Sequence, residues 1–220
     1  MTAPSPLWST FTDPLVRQNP VTLQILGICS ALAVTTSLPT ALTMAASLTT
    51  VLVLSAGVIS LIRRHIPDTI RLIVQIVIVA SLVIVIDQLL QAYLFEISQS
   101  LSVFVSLITT NCLVLGRTES FARLNPPGRS MVDALGNGLG YSLILCLVGA
   151  LRELFGAGSL MGLQVLPLVE QGGWFTPLAL MLLAPSAFFI LGGLVWAIRS
   201  IWPDQAEAPD TVPPEVEEGT

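Results

Sequence analysis

The 220-residue sequence predicts an all-α polytopic membrane protein, with six transmembrane segments in which two short or broken Cys-bearing helices lie in an inverted 3+3 repeat. Three observations carry that reading. Only 10% of the residues are charged and 53% are hydrophobic, whereas a soluble domain carries about a quarter charged residues. The apolar residues gather into six stretches of membrane-like composition. The arginines between those stretches are sharply biased to one side.

The stretches run over 21–36, 40–62, 70–95, 101–115, 131–151 and 175–201. The second, third, fifth and sixth reach or exceed about 20 residues, enough to cross a hydrocarbon core of roughly 30 Å at about 1.5 Å per residue. The first and fourth are nearer 15 residues, the length of half-helices or broken helices. Such interruptions persist at membrane depth only where protein buries the loosened backbone. A full helix with a polar end is the alternative for both.

With six crossings, one face receives Arg17, Arg63, Arg64, Arg71, Arg117, Arg123, Arg129 and Arg199, and the other only Arg152. Eight against one places both termini in the cytoplasm by the positive-inside rule. Trp196 and Trp202 flank the last cytoplasmic exit, and Trp174 stands at the opposite interface. Residues 1–20 lack a basic region leading directly into an apolar one, so no cleaved signal peptide is expected. The expected organisation is a cytoplasmic or interfacial segment over 1–18, a membrane domain over 19–202, and an acidic disordered tail over 203–220. Trp8, Phe11 and Leu15 would share one face of an interfacial helix in the first segment, with disorder as the alternative. The tail holds six of the fourteen acids, so the net charge of -5 says little about the membrane body. Basic residues form no face able to track phosphates, which excludes nucleic acid as a partner. Membrane lipid is the expected surrounding.

The two halves, about 19–97 and 101–202, match in layout. Each begins with a short Cys-bearing segment and continues with two longer helices. An odd number of spans per half inverts one half relative to the other. Cys29 and Cys112, separated by 83 positions, then enter from opposite sides to depths of roughly 13 and 16 Å. Both would approach the bilayer midplane. Small and hydroxyl neighbours surround them, in Gly27-Ile28-Cys29-Ser30-Ala31 and Thr109-Thr110-Asn111-Cys112.

That pairing points to a metal or redox site, with simple packing as the alternative. Cys146, flanked by Leu and Ile, reads as a packing residue. A disulfide framework is a poor fit to apolar surroundings. Two thiolates cannot complete an iron–sulfur or zinc site, which take four donors. The single His65 lies in a cytoplasmic loop, so further ligands would come from a second chain. An intramolecular disulfide is the rival.

Intramembrane acids are costly and usually functional. Asp87, Glu96 and Glu153 all fall near the outer interface, where solvation or local pairing is expected, and Asp87, the deepest, is the candidate for cation contact. The glycines of Gly136-Asn137-Gly138-Leu139-Gly140 follow no strand and open a helix, so close helix packing explains them better than dinucleotide binding. The groups Arg63-Arg64-His65 and Arg117-Thr118-Glu119 read as topology anchors, or as a seat for a soluble electron-donating subunit. No hydrolase triad, zinc-hydrolase motif or phosphate loop is visible, so no catalytic site is expected in this chain alone.

Four strings form an ordered series: Asn19-Pro20 through Thr36, Ile62-Arg63-Arg64-His65-Ile66-Pro67, Thr110-Asn111-Cys112 with Gly116-Arg117-Thr118-Glu119, and Gly136 through Leu151-Arg152-Glu153. Over about 17–200 the series resembles the D-type membrane subunits of the bacterial sodium-translocating NADH:quinone reductase, an inner-membrane translocase. The related ion-pumping ferredoxin:NAD oxidoreductase has a similar subunit, and Cys29 through Thr36 looks more like the quinone reductase branch. The resemblance implies pairing with a homologous E-type subunit of opposite topology. It implies two Cys from each partner on an iron–sulfur centre, 2Fe–2S, with Cys29 and Cys112 at the matching positions. It further implies electron relay from an NADH-oxidising flavoprotein subunit to flavin-bearing membrane subunits and ubiquinone, coupled to Na+ export. NAD and flavins would belong to other subunits. A small secondary transporter using its broken helices for alternating access is the competing class, and a structural scaffold tolerant of cysteine loss is a third.

Overall fold

The computed structural model describes residues 7–12, 14, 19–64, 66–67, 70–93, 107–160, 163–164, 181 and 183–201. In chain order these form α1 (Leu7–Thr12), α2 (Ile28–Val34), α3 (Leu38–Ile62), α4 (Arg71–Tyr93) and α5 (Cys112–Arg117). A π-helical turn over Thr118–Ala122 leads to α6 (Pro127–Ala157), and α7 (Ala184–Ile201) closes the described chain. The extended structure among the described residues is a two-residue antiparallel pair, Ser159–Leu160 with Leu163–Gln164. The expectations placed on Leu15, Arg17, His65, Glu96, Trp174, Trp202 and the acidic tail concern positions outside the described residues.

Among the described residues three helices are long and apolar enough to cross a membrane: Leu38–Ile62, Arg71–Leu89 and Pro127–Ala157. Pro185–Ile201 is a shorter apolar helix. The α6 helix is longer than its apolar stretch implied, because Pro126 and Pro127 start it four residues early and Gly158, at φ 66°, stops it. Its 31 residues span roughly 46 Å. The α3–α6 pair forms the centre of the bundle, with Met44, Leu48, Leu52, Tyr141, Leu145 and Val148 fully buried. By contrast α4 leaves Ile73, Val77, Ile84 and Val85 more than half exposed, the surface of a helix that faces lipid.

The glycines of α6 serve close packing, as their spacing implied. A methyl group at Gly138 would stand 2.7 Å from Thr49 of α3, and one at Gly136 would stand 2.7 Å from the Phe11 carbonyl. The short α1 helix therefore lies along α6.

Both short segments are interrupted. The first stretch is helical only over Ile28–Val34, after an irregular run from Asn19 that includes Ile25 at φ 55° and Gly27 at φ 81°. In the fourth, the helix over 107–109 breaks at Thr110 and Asn111 before α5 begins at Cys112. Side chains from α6 hold the first interruption. Arg152, fully buried, donates from Nη1 to the Leu32 carbonyl at 3.3 Å and to Thr35 Oγ1 at 2.6 Å, at the end of α2. Its Nε and Nη2 donate to the Met181 and Leu183 carbonyls at 3.2 and 3.1 Å, just ahead of α7. Glu153 Oε2 accepts from the Leu38 backbone N–H at 2.7 Å and so satisfies the start of α3. Adjacent opposite charges thus complete the carbonyl end of one helix and the amide end of the next.

Candidate functional site

Cys29 lies in the first turn of α2 and Cys112 is the first residue of α5. The structure brings their segments together: the Gly27 backbone N–H donates to Cys112 Sγ at 2.9 Å across 85 positions of sequence. Both thiols are exposed at the molecular surface. Cys146, by contrast, is half-buried on α6.

A buried polar chain runs through Ser30 and Asn111, the sequence neighbours of the two cysteines. Asn111 caps α5 by accepting the Leu113 N–H at 2.9 Å on Oδ1, and donates from Nδ2 to Ser30 Oγ at 2.8 Å. Ser30 Oγ lies 2.6 Å from the Tyr141 hydroxyl and 2.9 Å from the Gly27 carbonyl, to which it donates. One chain of contacts therefore ties α2, α5 and α6 together through residues next to the two cysteines in sequence. Only glycine suits position 27. Its backbone is left-handed at φ 81°, and a Cβ there would stand 2.8 Å from the Tyr141 ring. That ring is fully buried, so it cannot move aside without opening the core.

Sequence reasoning marked the hydroxyl and small residues around the sulfurs but missed Tyr141 and gave Asn111 and Ser30 no role. The available signal was a tyrosine directly after the glycine cluster, in an otherwise apolar stretch, whose hydroxyl needs a partner when buried.

The remaining candidates sit elsewhere. Asp87 is half-buried on α4 and accepts from Gln91 Nε2 at 2.9 Å, one helical turn on. Glu153 is buried at the start of α3 rather than solvated. The Arg117-Thr118-Glu119 group makes internal contacts. Arg117 forms a two-pronged ion pair with buried Asp133 of α6 and stacks 5.5 Å over the Phe121 ring. Glu119 accepts from Gln75 Nε2 at 2.8 Å and pairs with Arg71 at 3.1 Å. Among the described residues no group of three or more His, Cys, Asp or Glu side chains converges as a metal site would require. The segments that carry Cys29 and Cys112 are joined by the Gly27–Cys112 hydrogen bond.

Long apolar helices packed around two interrupted segments define an integral membrane protein. Comparison with known proteins identifies the class: residues 7–195 match the family described as "Rnf-Nqr subunit, membrane protein", and the chain belongs to that family. The relatives narrow it. A protein of Serratia proteamaculans (strain 568), named as the D subunit of the Na(+)-translocating NADH-quinone reductase, is 60% identical over 194 residues, covering 88% of this chain and 93% of that protein. Proteins of the same name from Psychromonas ingrahamii and Shewanella sp. (strain W3-18-1) are each 56% identical, over 90% and 92% of this chain and 95% and 96% of theirs. These names agree with the quinone reductase branch that the sequence motifs resemble, and they are names of subunits of an oxidoreductase complex of the membrane.

Proposed function

We propose that this chain is the D-type electron-transfer subunit of a sodium-translocating NADH:quinone reductase, and that Cys29 and Cys112 donate two ligands to an iron–sulfur centre shared with a homologous subunit of opposite topology. The observation that carries the reading is the Gly27 N–H aimed at Cys112 Sγ, beside Cys29 at the exposed surface. The donor set fits such a group on chemical grounds. A backbone N–H donor such as that of Gly27 would stabilise a Cys112 thiolate ligand, and two exposed thiols would leave half of a four-cysteine set to a facing chain. When bound, the centre supplies one-electron transfer between the flavoprotein side and the flavin-bearing membrane subunits.

The protein's own residues do the positioning. Gly27 and Asn111 fix the backbones that carry the sulfurs, through a left-handed turn and a side-chain cap respectively. Ser30 and Tyr141 lock those two segments to α6, so the sulfurs hold their places before the partner docks. In this reading the chain has two inverted halves and six crossings and lies in the inner membrane with both termini cytoplasmic, supported by the matched layout of the two Cys-bearing segments and the bias of the arginines in the sequence. Replacement of Cys29 or Cys112 by Ser is expected to abolish quinone reduction while NADH oxidation by artificial acceptors survives. Undiminished quinone reduction in both variants would overturn the proposal.

A further inference from the structure

Ile25 holds a backbone conformation that its own side chain opposes. Its φ of 55° lies in the left-handed region, and among the described residues no other non-glycine residue has a positive φ. For a β-branched side chain that is an outlier, disfavoured roughly 5- to 30-fold against right-handed backbone. The conformation is imposed from both sides. Before Ile25, Asn19 Nδ2 donates to the Gly140 carbonyl of α6 at 3.1 Å, while Asn19 Oδ1 and the Asn19 carbonyl accept from the Val21 and Leu23 N–H groups at 3.0 Å. After it, the Leu26 N–H closes back on the Pro20 carbonyl at 2.9 Å, and the Gly27 N–H meets Cys112 Sγ at 2.9 Å. Leu26 also packs on α5, its Cδ1 lying 3.5 Å from where a Cβ on Gly116 would stand.

The fold itself makes little use of the side chain held this way. Ile25 is 53% exposed beside exposed Gln24, whereas Val21 and Thr22 of the same turn are buried. Glycine or asparagine would take the same backbone with less strain. The turn leads directly into α2 and Cys29, its Gly27 N–H binds the Cys112 sulfur, and both thiols are exposed. A chain that brings further ligands to those thiols has to approach this turn. Fluid lipid accepts an apolar side chain in any direction, so it does nothing to favour a strained one. A packed pocket on a folded partner does, and strained residues gather at such contacts.

We propose that Ile25 is a docking anchor: its side chain inserts into an apolar pocket on the homologous membrane subunit that faces the two cysteines, and its burial there offsets the left-handed strain. The anchor rests on the reading of Cys29 and Cys112 as half of a shared centre, and it supplies the contact that aligns the two chains at that centre. Truncating a buried anchor weakens an interface by about 30-fold or more.

The test follows how much of this chain stays with the affinity-tagged homologous subunit as the solubilised complex is challenged with detergent. Ile25→Gly separates strain from docking, because the two act on it in opposite senses. With no partner for the side chain, Ile25→Gly only relieves strain and is retained at least as well as the native chain. Docking predicts about 30-fold weaker retention for Ile25→Gly and Ile25→Asn, and about fivefold weaker for Ile25→Val, which keeps most of the side chain. Ile84→Ala, on the exposed face of α4, should change nothing. A photo-crosslinking residue placed at position 24 leaves Ile25 in place and is expected to capture the homologous subunit. Native retention of Ile25→Gly overturns the proposal, and so does capture of lipid or of a different subunit. The position 24 crosslink keeps the proposal refutable even where a variant of Ile25 fails to assemble. Lipid capture together with iron loss in the cysteine variants refutes the anchor alone. Capture of the homologous subunit with iron retained in those variants supports the anchor contact and refutes the shared centre alone.

Discussion

Gly27→Ala is the sharpest single perturbation of the cysteine site, because two independent costs fall on one methyl group. Residue 27 sits at φ 81°, where a side chain costs roughly 1–2 kcal/mol. The new Cβ would also stand 2.8 Å from Tyr141 Cε2 and 3.2 Å from Cδ2. That ring is fully buried and held by Ser30, so relief requires moving the core or the loop, at about 1–3 kcal/mol. A total of about 2–5 kcal/mol is expected. Relaxation of the loop carries the Gly27 N–H away from Cys112 Sγ, so stability and iron retention fall together. Thermal denaturation of the detergent-solubilised complex, with iron determined on the same samples, measures both. Gly128→Ala is the control: nothing lies within 4 Å of a Cβ there, and it should be neutral or stabilise by up to about 1 kcal/mol. A Gly27→Ala protein with wild-type stability and iron would refute the geometry drawn around Tyr141.

Tyr141→Phe keeps the ring and loses only the 2.6 Å contact with Ser30, so it should cost about 0.5–1.5 kcal/mol in thermal denaturation and retain iron. Arg152→Met removes four hydrogen bonds that join the end of α2 to the approach of α7. A loss of about 2–5 kcal/mol in resistance to denaturing detergent is expected, with Arg152→Lys intermediate because one ammonium cannot serve both sides. Gly140→Ala would set a Cβ 2.6 Å from the Pro14 carbonyl, which is backbone and cannot swing away. It should loosen the segment at Pro14 and speed limited proteolysis there, with α6 itself unaffected.

Much of the fold was legible because lipid imposes simple rules. Length and composition marked the helices of α3, α4 and α6, and the shortness of two stretches marked their interruptions, since uninterrupted helices would have needed more apolar residues. Gly136, Gly138 and Gly140 announced close packing, and the structure finds backbone or side-chain atoms against all three. What hydropathy could not convey was the use made of polar side chains. Arg152 read as the lone arginine of the far loop, yet it is fully buried, because its guanidinium answers carbonyls exposed by the end of a broken helix. Glu153 read as an interfacial acid for the same reason, although it completes the first turn of α3. Glu119 and Arg117 read as anchors, but their partners Arg71, Gln75 and Asp133 lie on other helices, beyond the reach of any local pattern. At the site, the two cysteines were legible from their matched contexts. The Asn111–Ser30–Tyr141 chain was not, since it joins three segments whose adjacency only folding reveals.

The central claim is that Cys29 and Cys112 act as one half of a shared iron–sulfur centre. Iron and acid-labile sulfide per purified complex, compared between the native protein and the Cys29→Ala and Cys112→Ala variants, test it most directly. Each variant is predicted to lose the same increment of iron and sulfide, with flavin content and subunit composition retained, and Cys146→Ala to lose none. Native iron and sulfide content in either the Cys29 or the Cys112 variant would contradict the account.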